Sequence, residues 1–81
     1  MKVRLLLFAV LRDIAGTGNL TLELPAGATA RDVWSDLRAR HAQLADYALP
    51  PMTAINESYA APDTVLQEGD ELAFIPPVAG G

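Results

Sequence analysis

The chain contains no cysteine, which excludes a disulfide framework, a thiolate metal site and a cysteine nucleophile. It has a single histidine, His41, so a multi-histidine metal centre is excluded as well. Basic residues are in the minority: 6 Lys+Arg stand against 10 Asp+Glu, giving a net charge of −4 and a pI near 4.6. That balance argues against nucleic acid and directs any charge-guided recognition towards a basic partner. Long apolar runs are missing too. The longest, Leu5 to Leu11, falls far short of the ~20 residues of a membrane-spanning helix. Preceded by Lys2 and Arg4, it has the outline of a signal peptide. Arg12-Asp13 ends it, however, and no small-x-small cleavage pattern follows, so a buried strand explains it better. Repeats, low-complexity tracts and linkers are also lacking.

What is present suits one small α+β domain. Of 81 residues, 51% are hydrophobic and 20% charged, too apolar for a disordered chain. A chain of this size buries about 60% of its unfolded surface, enough for one modest core. Residues 2–10 read as a strand buried on both faces, because the run is continuous rather than alternating. Residues 11–18 read as a short turn or helical scrap ending at Gly16-Thr17-Gly18. Asn19 to Leu24 alternates polar residues with leucine, the pattern of a half-buried strand, and Pro25-Ala26-Gly27 stops it. The spacing predicts a helix after Thr29, which is a good N-cap with Asp32 three residues on. Ala30, Val33, Trp34, Leu37 and Leu44 form its apolar stripe, continued by His41, while Arg31, Asp36, Arg38 and Arg40 take the wet side. Trp34 is a core plug between helix and sheet on this reading. A proline-punctuated connection, Tyr47 to Pro51, leads to a strand at 52–56. Then come a turn at Glu57-Ser58, a short segment at Tyr59-Ala60, a helical turn at 62–66, a surface turn at 67–70 and a last strand at 71–75.

The sequence closes on Pro76-Pro77-Val78-Ala79-Gly80-Gly81. Prolines cannot donate to a sheet ladder, and their fixed φ makes a stiff, extended stem. The four residues beyond them span at most about 13 Å when extended, enough to thread into another protein's active site. Two terminal glycines leave the carboxylate unobstructed on every side. With 6 glycines in 81 residues, a terminal pair arises by chance in roughly half a per cent of cases. A frayed, inert end is the alternative. The acidic residues are dispersed over turns and wet faces, so no paired-carboxylate acid/base site is expected.

In size, element order and motifs the chain resembles the small subunits of molybdopterin synthase, sulfur carriers with the ubiquitin-like β-grasp fold. The likeness rests on the opening strand with Phe8-Ala9 and Arg12, the Gly16 turn, Asn56, Gly69-Asp70-Glu71 and the Pro-Pro-Val-x-Gly-Gly ending. It implies a mixed sheet with one main helix across one face, a domain over 1–75 and a flexible tail over 76–81. It also implies a cytoplasmic protein that carries sulfur on Gly81. An adenylating enzyme resembling ubiquitin-activating enzymes uses ATP to convert the terminal carboxylate to an acyl-adenylate, and a persulfide donor converts that to a thiocarboxylate. The loaded tail enters the large subunit, within a heterotetramer. There it donates sulfur to cyclic pyranopterin monophosphate to build the molybdopterin dithiolene, and two loaded carriers are used per product. No permanently bound cofactor is expected, and the acid/base groups belong to the large subunit.

The same likeness assigns partner contacts to Phe8, Arg12, Tyr59 and Ile75 and to the tail residues Pro76, Pro77, Val78, Ala79 and Gly80. The plainer alternatives are core packing for Phe8 and Ile75 and ordinary surface for Arg12 and Tyr59. A sulfur carrier for thiamine or cysteine biosynthesis, a ubiquitin-like protein modifier and an inert interaction module are the competing functions.

Overall fold

The computed structural model describes residues 1–46 and 51–76. In chain order its elements are β1 (Lys2–Leu7), α1 (Ala9–Ala15), β2 (Asn19–Glu23), α2 (Ala30–Arg40), a 3-10 segment (Ala42–Asp46), β3 (Met52–Ile55), β4 (Ser58–Tyr59) and β5 (Glu71–Ile75). The strands form one sheet in the order β2-β1-β5-β3-β4. The central pair β1 and β5 is parallel and the other pairs are antiparallel, which makes the sheet mixed as expected.

Alternation decides which residues enter the core. Val3, Leu5 and Leu7 of β1 and Leu72 and Phe74 of β5 are buried against α2. The helix answers with Ala30, Val33, Trp34 and Leu37, and the 3-10 segment adds Leu44. The predicted apolar stripe is therefore the buried one. Trp34 meets Phe74 edge-on, with ring centroids 5.2 Å apart at 67°, a geometry that adds about 0.5–1.5 kcal/mol beyond burial.

The start of α2 shows how its unpaired N–H groups find partners. The Thr29 side chain accepts from the Asp32 N–H at 3.2 Å, and the Asp32 carboxylate accepts from the Thr29 N–H at 2.9 Å. The Ala30 N–H donates to the Thr64 carbonyl and the Arg31 N–H to the Pro62 carbonyl. Those carbonyls are free because 62–66 is no helical turn, contrary to the sequence reading. A turn at Pro62-Asp63 is followed by extended chain, and Val65 bridges to Thr29. The helix end recruits this segment, and helix propensity over so few residues cannot compete.

Two boundaries also differ from expectation. The opening strand stops at Leu7 rather than residue 10, because Ala9 takes φ 52 and turns the chain into α1. Residues 11–15, read as a short turn or helical scrap, complete that helix, which Gly16 ends at φ 80 as expected. The β3–β4 turn sits at Asn56-Glu57, one residue earlier than predicted, with φ 51 and 71. Positive φ at both central residues suits the twist of a two-residue hairpin. Asn56 then ties the hairpin to the start of β5. Its N–H donates to the Glu71 carbonyl (2.8 Å), its Oδ1 accepts from the Glu71 N–H (2.9 Å), and its Nδ2 donates to Asp70 Oδ1 (2.9 Å). Asp70 Oδ2 accepts from the Gln67 N–H (2.8 Å), closing the turn in which Gly69 holds φ 82. Of the connection at Tyr47 to Pro51, residues 47–50 lie outside the described residues.

Candidate functional site

Strand β5 delivers the C-terminal stem, and its register defines the surroundings. Leu7 pairs with Phe74 and Met52 with Ile75, so the strand ends between the close of β1 and the opening of β3. Pro76 is half-buried there; Pro77, Val78, Ala79, Gly80 and Gly81, to which the resemblance assigns partner contact and sulfur carriage, lie outside the described residues.

The sheet face away from α2 is graded. Residues opposite one another across a ladder share a face, so Leu6, Ala73, Ala54 and Tyr59 stand together, with Ile75 beside Met52. At the other end of the same face lie Lys2, Arg4, Thr21, Glu23 and Glu71. The apolar half is therefore the half next to the stem. It contains a shallow depression of about 250 Å³ lined by Leu6, Phe8, Ala54, Tyr59, Ala73 and Ile75, with Glu57 and Glu71 at its border. A second, apolar depression of about 530 Å³ lies between Met52, Ala60, Pro51 and Pro62, and Tyr59 borders both.

Three of the predicted contact residues thus come together. Phe8 is the extended N-cap of α1; one step beyond the inward Leu7 it leaves the core, at 45% exposure. Tyr59 is 76% exposed. Ile75 is half-buried and floors the depression. Core packing accounts for neither Phe8 nor Ile75. Arg12 stands apart at the same end of the sheet, on the β2 side. Gly18, whose carbonyl accepts from the Leu7 N–H, lies under it: a Cβ added at Gly18 would come within 2.8 Å of Arg12 Cδ. Among the described residues no carboxylate lies within ion-pair distance of Arg12. Met52, also 45% exposed, was not singled out by sequence. The alternation of β3, read with its pairing to β5, is the signal that places it.

Among the described residues no three His, Cys, Asp or Glu side chains gather to hold a metal. Arg31 and Asp63 form an exposed ion pair. The hydrogen bond and charge of Arg31, at 2.7 Å, hold the Asp63 carboxyl below its ordinary value, and Asp63 in turn raises Arg31. The arrangement is an exposed apolar surface beside the end of β5.

Residues 5–81 match the ThiS family. The chain belongs to that family. Among family relatives, the molybdopterin synthase sulfur carrier subunit of Arabidopsis thaliana is 35% identical over 81 residues, covering 100% of this chain and 84% of the relative. The protein of the same name from Chlamydomonas reinhardtii is 36% identical over 83 residues and covers both chains in full, 100% each. The crystal structure of small archaeal modifier protein 1 from Haloferax volcanii superposes with a TM-score of 0.79 at 28% identity, covering 95% of this chain and 98% of that one. The fold is the ubiquitin-like β-grasp. No helix among the described residues is long and apolar enough to cross a membrane.

Proposed function

We propose that this chain is the sulfur carrier subunit of a molybdopterin synthase, loaded on the carboxylate of Gly81. The observation that carries the reading is full-length similarity to relatives bearing that name. The apolar face beside the end of β5 supports it, because a carrier must be held by its partners while its tail reaches into them. A carboxylate is a poor electrophile until one oxygen becomes a good leaving group. Adenylation by a partner enzyme with ATP supplies this, with pyrophosphate released. The outer sulfur of a persulfide donor then displaces AMP to give an acyl disulfide. A second thiol attacks the donor-side sulfur to form a disulfide with it, and the thiocarboxylate so released is nucleophilic near neutral pH. The large subunit receives the tail and supplies acid/base groups, and sulfur passes to cyclic pyranopterin monophosphate. Phe8, Tyr59 and Ile75 form the docking surface, joined by Met52, with Arg12 placed at its edge to meet an acidic group of a partner. ATP stays with the activating enzyme and no cofactor resides on the carrier.

The test is reconstitution with a large synthase subunit and the pterin precursor. Thiocarboxylated carrier is expected to yield molybdopterin, and carrier lacking Gly81 none. Product from the truncated carrier would contradict the proposal. The likeness to a small archaeal modifier protein favours one second reading, conjugation of Gly81 to protein lysines. In that case isopeptide-linked products that vanish with Gly81 would appear on incubation with activating enzyme and substrate proteins.

A further inference from the structure

The two edges of the sheet are finished differently. At one, β4 is only two residues long, a common way of blunting an edge. At the other, β2 runs for five residues without lysine or proline. Its phase is set by the ladder with β1. Met1 and Leu24 exchange hydrogen bonds (2.7 and 2.8 Å), and the Leu7 N–H donates to the Gly18 carbonyl (3.1 Å). Even-numbered residues therefore turn their peptide groups towards β1, and odd-numbered ones turn theirs outward. Of the outward positions 19, 21, 23 and 25, the outer two are closed. The Thr17 hydroxyl accepts from the Asn19 N–H (3.3 Å) and donates to the Asn19 carbonyl (3.2 Å). Pro25 has no N–H, and its carbonyl accepts from the Ala28 N–H (3.2 Å). The outward groups of Thr21 and Glu23 meet no partner among the described residues. Open and closed positions are thus symmetric about Leu22.

The side chains follow the same symmetry. On the face towards α2, Leu20, Leu22 and Leu24 are only half-buried. Leu22 and Leu24 line a groove of about 540 Å³ against Val33 of the helix. The charged groups that α2 brings to its border have partners within the chain: Asp32 accepts from the Thr29 N–H, and Asp36 pairs with Arg40 at 3.0 Å. On the face away from α2, Thr21 and Glu23 are exposed, Thr21 opposite Arg4 and Glu23 opposite Lys2.

An edge with this symmetry is complementary to itself. We propose that β2 pairs antiparallel with β2 of a second copy of this chain, centred on Leu22, to form a two-fold dimer with a continuous sheet. In that register Thr21 exchanges both hydrogen bonds with the second copy's Glu23, and Glu23 with its Thr21, so every open group is used. Asn19 falls opposite Pro25, closed against closed, and the ladder ends there on both sides. Centring on Thr21 instead would set Glu23 against the spent groups of Asn19, and centring on Glu23 would set Thr21 against Pro25. Leu22 meets Leu22 and Leu20 meets Leu24, which joins the two leucine rows. On the other face each row reads Lys2, Glu23, Thr21, Arg4 across the two copies, with no like charges directly opposite. The contact is one short ladder, of the smallest interface class, so the dimer is weak and reversible. It leaves the apolar patch beside the end of β5 uncovered. The inference is independent of the sulfur-carrier reading.

The test is sedimentation velocity and amide NMR of the full chain over a concentration series reaching the millimolar range. A monomer–dimer equilibrium is expected, with concentration-dependent shifts centred on residues 20–24 and slowed amide exchange at Thr21 and Glu23. A mixture of labelled and unlabelled protein is expected to show an intermolecular contact from Leu22 to Leu22. Thr21→Glu sets glutamate opposite Glu23 twice in the dimer and is expected to weaken it roughly fivefold. Thr21→Lys sets lysine opposite Glu23 and is expected to tighten it by a similar factor. Position 21 is exposed, so both variants keep the fold. Ser58→Glu and Ser58→Lys, the same charge changes at the blunted edge, are expected to leave the equilibrium unchanged. A monomer throughout the series overturns the proposal, as do shifts centred on Tyr59 or on Leu6, Ala73 and Ile75. It is overturned too if the two Thr21 variants act alike, or if the Ser58 variants reproduce their effects.

Discussion

Asn56 and Glu57 share the left-handed backbone of the β3–β4 turn, yet only Asn56 has a side chain that exploits it. Its carbonyl and amide reach Glu71 and Asp70, so one residue holds the hairpin, the preceding turn and β5 in register. Asn56→Ala loses two side-chain hydrogen bonds and the tolerance of asparagine for positive φ. A destabilisation of about 1–2 kcal/mol is expected in denaturant unfolding. Glu57 gains nothing from φ 71. Glu57→Gly should therefore raise stability by about 0.5 kcal/mol, since glycine is the favoured second residue of such turns. A fall in stability on that change would show that the Glu57 side chain does more than tolerate its backbone. Asp63 supplies the pH dependence at this scale. Its folded pKa is lowered from 3.8 by Arg31. The pair's contribution is therefore present above the unfolded value and lost as pH falls through the folded one. Asp63→Asn should remove that segment of the acid limb and leave stability near neutral pH almost unchanged, because both groups are exposed.

At the scale of elements, the capping box at Thr29 makes α2 the best-specified piece of the chain. Thr29→Ala removes the hydroxyl partner of the Asp32 N–H, and a loss of about 1 kcal/mol is expected, read as a lowered Tm. That helix was legible because its cap, stripe and charges agree with one another within a dozen residues. Strand β2 was legible from alternation and β1 from its apolar run, although β1 is not buried on both faces as that run suggested: Lys2, Arg4 and Leu6 line the open one. The failures share one cause. The run Leu5 to Leu11 carries no local mark that Ala9 turns, and a positive φ at alanine has no sequence signature. The 62–66 segment is extended because α2 offers it N–H groups, a tertiary event invisible in its own residues. Phe8, Tyr59 and Ile75 were chosen through family likeness rather than pattern, and the structure brings them to one depression. Met52 and the graded open face needed the register of five strands, which no single stretch of sequence contains.

Over the whole molecule, the core and the proposed docking face lie on opposite sides of the sheet. The core lies between α2 and the sheet, whereas the open face beside the stem contributes exposed apolar area that folding does not require. Phe8→Ala and Tyr59→Ala are expected to weaken large-subunit binding roughly tenfold each in titration calorimetry. Tyr59→Ala should shift the Tm little, since Tyr59 is 76% exposed. Unchanged affinity in both variants would place docking elsewhere. Removing Gly81 should likewise leave the thermal unfolding curve in place while ending sulfur transfer. Sulfur carriage rests on the chemistry of the Gly81 carboxylate. The most direct measurement is the intact mass after incubation with a cognate adenylating enzyme, ATP and a persulfide donor. The account predicts a gain equal to sulfur replacing one oxygen, located on Gly81. An unchanged mass, with the same enzyme active on a control carrier, would contradict it.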